Sequence, residues 1–182
     1  MVTNTNTAVP AASLLGDPAT RGVLDAIRRI VRALRESSRH AEARVGLSGA
    51  QLFVLQRLAG APALSLNELA ERTLTHQSTV SVVVTRLVAG GLVSRSRGGS
   101  DGRRVEIALT ARGRAALKQA PAAAQDRLIA ALGVVGPTTR RTLARELGRL
   151  VEAMALPEQA PPMFFEPVAG DKRKKLDRGR RA

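Results

Sequence analysis

The stretch LSLNELAERTLTHQSTVSVVVTRLVAGG, residues 64–91, holds two helical patterns with almost no chain between them. Ser65 stands where an N-cap belongs, and Glu68, three residues on, completes a capping box. Leu64 is placed to staple against Leu69, and the pattern runs out near Arg72. A link of three residues, Thr73-Leu74-Thr75, leads to a second helix that Thr75 can cap and that Gly90 and Gly91 stop. Two helices joined by so short a turn read as a helix-turn-helix, with the second helix as the one that enters a DNA major groove.

The second helix has to bury one side against the first and leave the other free. Val80, Val83, Val84 and Leu87 recur at i, i+3, i+4 and i+7, which assigns them inward. The candidate DNA-binding set on this helix is His76, Gln77, Ser78, Thr79, Ser81, Val82 and Arg86, with Thr85 on the same side. No acid occurs among them to repel phosphate. A merely solvated helix face is usually built from Glu and Lys, whereas Ser, Thr and Val are weak helix formers. Their use here points to selection for contact with DNA.

Immediately downstream, residues 92–97 favour a strand, and Val105, Ile107 and Leu109 alternate with Arg104, Glu106 and Ala108. Between them GGSDG has turn chemistry, so the segment reads as a β-hairpin behind the two helices, a wing. Arg95, Arg97, Arg103 and Arg104 crowd its tip around Asp101. Arginine in that position suits a narrow minor groove, and Asp101 is placed to orient Arg103 through a charge-assisted hydrogen bond.

Around this core the chain is helical. Residues 21–45 form one amphipathic helix that Gly46 ends, and Ser48 with Gln51 opens another through a capping box. Thr110 caps a long helix running to about Ala131, which Pro121 should kink. Pro137 opens the last helix, striped by Leu143, Leu147, Leu150, Val151 and Met154. Residues 1–20 read as a disordered leader, and 157–182 as a disordered tail, first proline-rich and then basic. One domain over 21–156 is expected, its DNA-binding lobe at about 48–110.

The charge agrees with a polyanionic partner. Lys and Arg number 29 against 15 Asp and Glu, a net of +14. Residues 21–156 alone carry 22 cations and 10 acids, so the excess is not confined to the tail. With no cysteine and two histidines, disulfides and thiolate metal sites are excluded, and no metal or other cofactor is expected. Three aromatics, all Phe, leave little for stacking single-stranded bases, so double-stranded DNA is the expected ligand. No apolar run has the length of a membrane span, and no secretory signal is recognisable, which points to the cytoplasm and the nucleoid. The residues offer no acid–base or nucleophile cluster and no glycine-rich phosphate loop, so an enzyme is not expected.

The stretch LNELAERTLTHQSTVSVVVTRLVAGGLVSRSRGGSDGRRVEIALTARGRAAL resembles the winged helix-turn-helix core of the MarR family of bacterial transcriptional regulators. The likeness rests on Leu69-Ala70, on Ser78-Thr79-Val80 at the start of the recognition helix and on the Gly91-Leu92-Val93 exit. It also rests on Asp101 and Arg103 at the wing tip and on Leu109-Thr110. In architecture it extends over residues 21–156, and the fold it implies is mainly α with a small β-hairpin wing and N- and C-terminal dimerisation helices. It implies a homodimer on a pseudo-palindromic operator, a repressor that answers a small-molecule effector. Many members have a basic residue where Val82 stands; a valine there suits a thymine methyl group. The cysteine of peroxide-sensing members and the tryptophan of urate-responsive members are both missing. Arg39 and His40, late in the first long helix, are the candidates for meeting an anionic effector. The competing reading is a sequence-tolerant architectural DNA binder, for which the basic tail is also suited. The segment PPMFF, residues 161–165, is placed to dock on the chain's own body or on a partner.

Overall fold

The computed structural model describes residues 11–63, 65–98, 104–158 and 160–165. A single helical turn, α1 (Ala11–Leu14), precedes the long α2 (Pro18–Val45). The DNA-binding lobe follows as α3 (Gly49–Ala59), α4 (Leu66–Thr73), α5 (Gln77–Ala89), β1 (Val93–Gly98) and β2 (Arg104–Leu109). Then come α6 (Ala111–Gln119), α7 (Ala124–Val134) and α8 (Pro137–Ala153). The architecture is mainly α with a small antiparallel hairpin, in agreement with the fold class read from the sequence.

Helix α2 begins at Pro18, three residues before its expected start. Asp17 caps it by accepting the Thr20 amide at 2.7 Å, and Pro18 fills the first position, where no amide is needed. Residues 11–14 and 18–20 are thus helical where a disordered leader was expected. The Thr20 bonds hold the Asp17 carboxyl below its usual range. At the other end Gly46, with φ 70°, closes α2 in the left-handed region that glycine tolerates. The capping box of α3 forms as the spacing demands: Gln51 N donates to Ser48 Oγ at 3.2 Å, and Ser48 N to Gln51 Oε1 at 3.0 Å.

The core gathers Leu52, Phe53 and Leu55 of α3, Leu69 of α4, Val80, Val83 and Leu87 of α5, and Ile107 of β2. The long helix expected from Thr110 to Ala131 is two helices. Proline disfavours the helical conformation of the residue before it, and Ala120 is extended at φ −77°, ψ 145°. Pro121 therefore separates α6 from α7 instead of bending one rod.

The stalk, comprising the outer half of α2 with α7 and α8, buries little within one chain. No residue of α8 is buried, and Leu147 is 52% exposed beside Leu143, Leu150 and Val151. Val23, Leu24, Ile27 and Ile30 of α2 are likewise exposed. None of the helices is long and apolar enough to cross a membrane, among the described residues.

Candidate nucleic-acid interface

Three devices orient α5. The first is the turn before it. Ser65 Oγ accepts the Glu68 amide at 3.0 Å, the N-cap half of the expected capping box, while the Glu68 carboxylate pairs with Arg72. Arg72 also donates to the carbonyls of Ala61 at 2.7 Å and Pro62 at 3.0 Å, tying α4 to the loop that enters it. Thr73 is buried and returns its hydroxyl to Leu69 O and Ala70 O. Leu74 then turns the chain at φ 52°, ψ 43°, with its amide donating to Glu71 O at 3.1 Å. The cap of α5 is His76, not Thr75, and its side chain makes no cap bond.

The second device is the exit. Leu92 N donates to Leu87 O at 3.0 Å and Gly91 N to Val88 O at 2.9 Å, with Gly91 at φ 66°, a Schellman motif that closes α5 and aims the chain into β1.

The third device anchors the wing. Val93 pairs with Leu109 and Gly98 with Arg104 along the hairpin. Ala63 adds a bridge to Ile107 through bonds of 2.9 and 2.7 Å. That bridge fastens the wing base to the α3–α4 loop. It was not legible beforehand, because one residue after a proline has no strand periodicity to detect.

Within this frame Val80, Val83, Val84 and Leu87 are buried as their spacing predicted. Gln77, Ser78, Val82 and Thr85 are exposed, Ser81 is half-buried, and His76 is exposed at the cap. Thr85 donates its hydroxyl to Ser81 O at 2.8 Å. Two members of the expected set sit differently. Thr79 is buried at 8% exposure, and its hydroxyl donates to Pro161 O at 3.1 Å. Arg86 is half-buried and lines a cleft with Leu47, Gln51 and Arg112, on the flank of α5. At about 100° per residue Thr79 lies about 80° and Arg86 about 60° from the centre of the face that Ser78 and Val82 share, so both stand on its flank. In the wing, Arg95 is exposed opposite Ile107. The strands carry Arg97 and Arg104, but the side chains of these two, and all of Asp101 and Arg103, lie outside the described residues.

The expected effector residues do not come together with the crevice between α2 and the lobe. Arg39 and His40 are both exposed, whereas the crevice is lined by Leu34, Ser37, Ser38, Leu52, Ala123 and Phe164. Arg32, first among its neighbours, holds the Glu36 carboxyl below its ordinary range, with smaller contributions from Arg39 and His40. Among the described residues no cluster of His, Asp or Glu is arranged to hold a metal.

Two helices at a tight turn with a hairpin behind them, an acid-free face on the second helix and an excess of arginine define a DNA-binding transcriptional regulator of the winged helix-turn-helix class. A MarR family model matches residues 45–104. The HTH-type transcriptional repressor Rv2887 of Mycobacterium tuberculosis is 32% identical over 137 residues, which is 74% of this chain and 97% of that protein. Its counterpart in Mycobacterium bovis, Mb2911, matches to the same extent. Among solved structures, Sco3205 of Streptomyces coelicolor, a MarR family transcriptional regulator in complex with DNA, superimposes with a TM-score of 0.51 at 21% identity. The superposition spans 79% of this chain and 92% of Sco3205. This chain belongs to the MarR family, a family of regulators and not of enzymes.

Proposed function

We propose that the protein is a repressor that acts as a homodimer on a pseudo-palindromic operator and releases it in response to a small-molecule effector. The observation that carries the DNA reading is the solvent-facing side of α5, where Gln77, Ser78, Val82 and Thr85 stand clear of the core with no acid among them. Those groups are sized for base edges: amide and hydroxyls for donors and acceptors, Val82 for a thymine methyl. Repression is supported by the relatives Rv2887 and Mb2911, which are described as repressors. Dimerisation is supported by the exposed apolar stripes of α2 and α8, faces of the kind that mark protein–protein contacts. The recognition helices of such a dimer stand about 34–36 Å apart, one turn of DNA. The functional unit is taken as residues 21–156 with the lobe at about 48–110, working on the nucleoid in the cytoplasm.

At the wing, Arg95, Arg97, Arg103 and Arg104 serve the flanking minor groove, with Asp101 orienting Arg103. The test is titration of operator and random duplex at one stated salt concentration. Gln77→Ala and Ser78→Ala should relax preference at particular base pairs, at about 1–3 kcal/mol on the best site and little on random DNA. Arg103→Ala should weaken binding most where the flanks are A·T-rich and shallow the salt slope by about one unit. Equal affinity for operator and random duplex favours the architectural reading instead.

A further inference from the structure

After α8 the chain does not leave the body. Ala155, at φ 49°, and the Leu156 amide bonded to Val151 O close that helix, and the following residues return to the DNA-binding lobe. Pro161 O accepts the Thr79 hydroxyl at 3.1 Å, a bond spanning 82 positions of sequence. Met163, 4% exposed, joins the same apolar cluster as Phe53 and Val80. Phe164 and Phe165, with ring centroids 6.4 Å apart, line the crevice formed by Leu34 and Ser38 of α2, Leu52 of α3 and Ala123. Phe165 is at φ 59°, a conformation that a bulky L-residue adopts at a cost.

Thr79 is the third residue of α5, one position beyond Ser78 and two beyond Gln77. The first turn of any helix lacks intrahelical partners for its amides, and here the cap residue His76 supplies no side-chain bond. That turn is where fraying starts and also where base-reading side chains must be held still.

We infer that residues 161–165 are a positioning strap for DNA recognition. They grip α5 at Thr79, seat Met163 in the apolar core and rest Phe165 against the crevice, with Phe164 beside it half exposed, so that Gln77 and Ser78 are ordered before DNA arrives. The inference rests on the proposed role of α5 and adds a positioning device that the winged core does not contain. Thr79 acts from inside, through the strap, and does not touch a base. A strap of this kind raises affinity for the operator selectively, because nonspecific binding depends on phosphate charge and not on the order of base-reading groups.

The experiment uses the full chain with Thr79→Val, which removes the hydroxyl and keeps the branched shape, and Phe165→Ser, which loosens the far anchor. Each should lower operator affinity about threefold to tenfold, the loss expected of one hydrogen bond or less. Affinity for random duplex should stay within about twofold and the salt slope should not change. Hydrogen exchange at the Val80 amide, which donates to His76 O at 3.1 Å, should quicken in both variants. The double variant should be no worse than the weaker-binding single one, because both cut the same tether. Phe165→Ser with unchanged Val80 exchange and unchanged operator affinity overturns the inference. So do additive losses, which would mean that Thr79 contacts DNA directly. If the parent fails to prefer operator, the reading of α5 falls and the strap's role in recognition with it. That failure is distinguishable, because Val80 exchange in Phe165→Ser still reports the tether without DNA.

Discussion

Gly113→Ala tests whether the seat of α6 sets the wing. Gly113 is the third residue of α6, its amide donating to the Thr110 hydroxyl at 3.0 Å. A Cβ added there would lie 2.1 Å from Leu92 O, 3.1 Å from Leu92 C and 3.3 Å from Leu109 Cδ2. The nearest obstacle is backbone, so α6 has to withdraw by about 1.3 Å or more to restore an ordinary contact. The withdrawal strains the bond from Thr110 N to Leu92 O, now 3.1 Å, which is worth about 1 kcal/mol. Overpacking against Leu92 and Leu109 adds about 1–3 kcal/mol. Alanine's better helix propensity offsets about 1 kcal/mol of that, leaving a net loss of about 1–3 kcal/mol. In urea at fixed protein concentration, the unfolding midpoint should fall by about 0.5–1.5 M for a slope near 2 kcal/mol/M. Gly133→Ala, with nothing within 4 Å of its added Cβ, is the control and should raise the midpoint slightly. Operator affinity of the folded Gly113→Ala protein should also drop, because Leu92 leads directly into β1. A Gly113→Ala protein as stable as the parent would refute the close approach of α6 to Leu92.

Leu74→Gly should stabilise the protein by up to about 1 kcal/mol in the same urea assay, since Leu74 is 73% exposed and sits at φ 52°. Leu147→Glu places a charge in the exposed α8 stripe and should shift sedimentation from the proposed dimer to monomer at micromolar concentration; an unchanged dimer would move the interface elsewhere. Truncation after residue 170 removes seven cations and two acids while sparing the strap, and should lower DNA affinity and shallow its salt dependence without changing the preferred sequence. Asp17, whose carboxyl is held low by Thr20, contributes stability that is present above the unfolded carboxyl range and lost as pH falls through the folded value. Asp17→Asn should therefore flatten the decline in thermal midpoint below about pH 4.

Where residues act on near neighbours in the chain, much was legible in the sequence, although α5 is capped by His76 and not Thr75 and Pro121 parts two helices instead of kinking one. The capping pairs Ser48 with Gln51 and Ser65 with Glu68, the buried spacing of Val80, Val83, Val84 and Leu87, and the glycine exit from α5 all depend on contacts within a few positions. These local rules specify two helices, a tight turn and a hairpin, and the hairpin's alternation specifies its register. They also place Ser78 and Val82 on the open side of α5, because helical periodicity alone separates those positions from the buried ones.

Only the tertiary structure decided what the flanks of that helix meet. Thr79 and Arg86 are polar residues beside the open face, and nothing in their spacing says whether water, DNA or protein lies against them. The answer depends on Pro161, 82 positions from Thr79, and on Leu47, Gln51 and Arg112 around Arg86. The same holds for Ala63, whose bridge to Ile107 braces the wing across 44 positions, and for Gly113, whose missing side chain admits Leu92 O. PPMFF showed an apolar segment looking for a surface; that the surface is the chain's own crevice follows from where α2, α3 and α7 leave a gap once packed. Periodicity reports which side of an element is apolar, while long-range contacts settle what covers the side that is neither wholly apolar nor wholly polar.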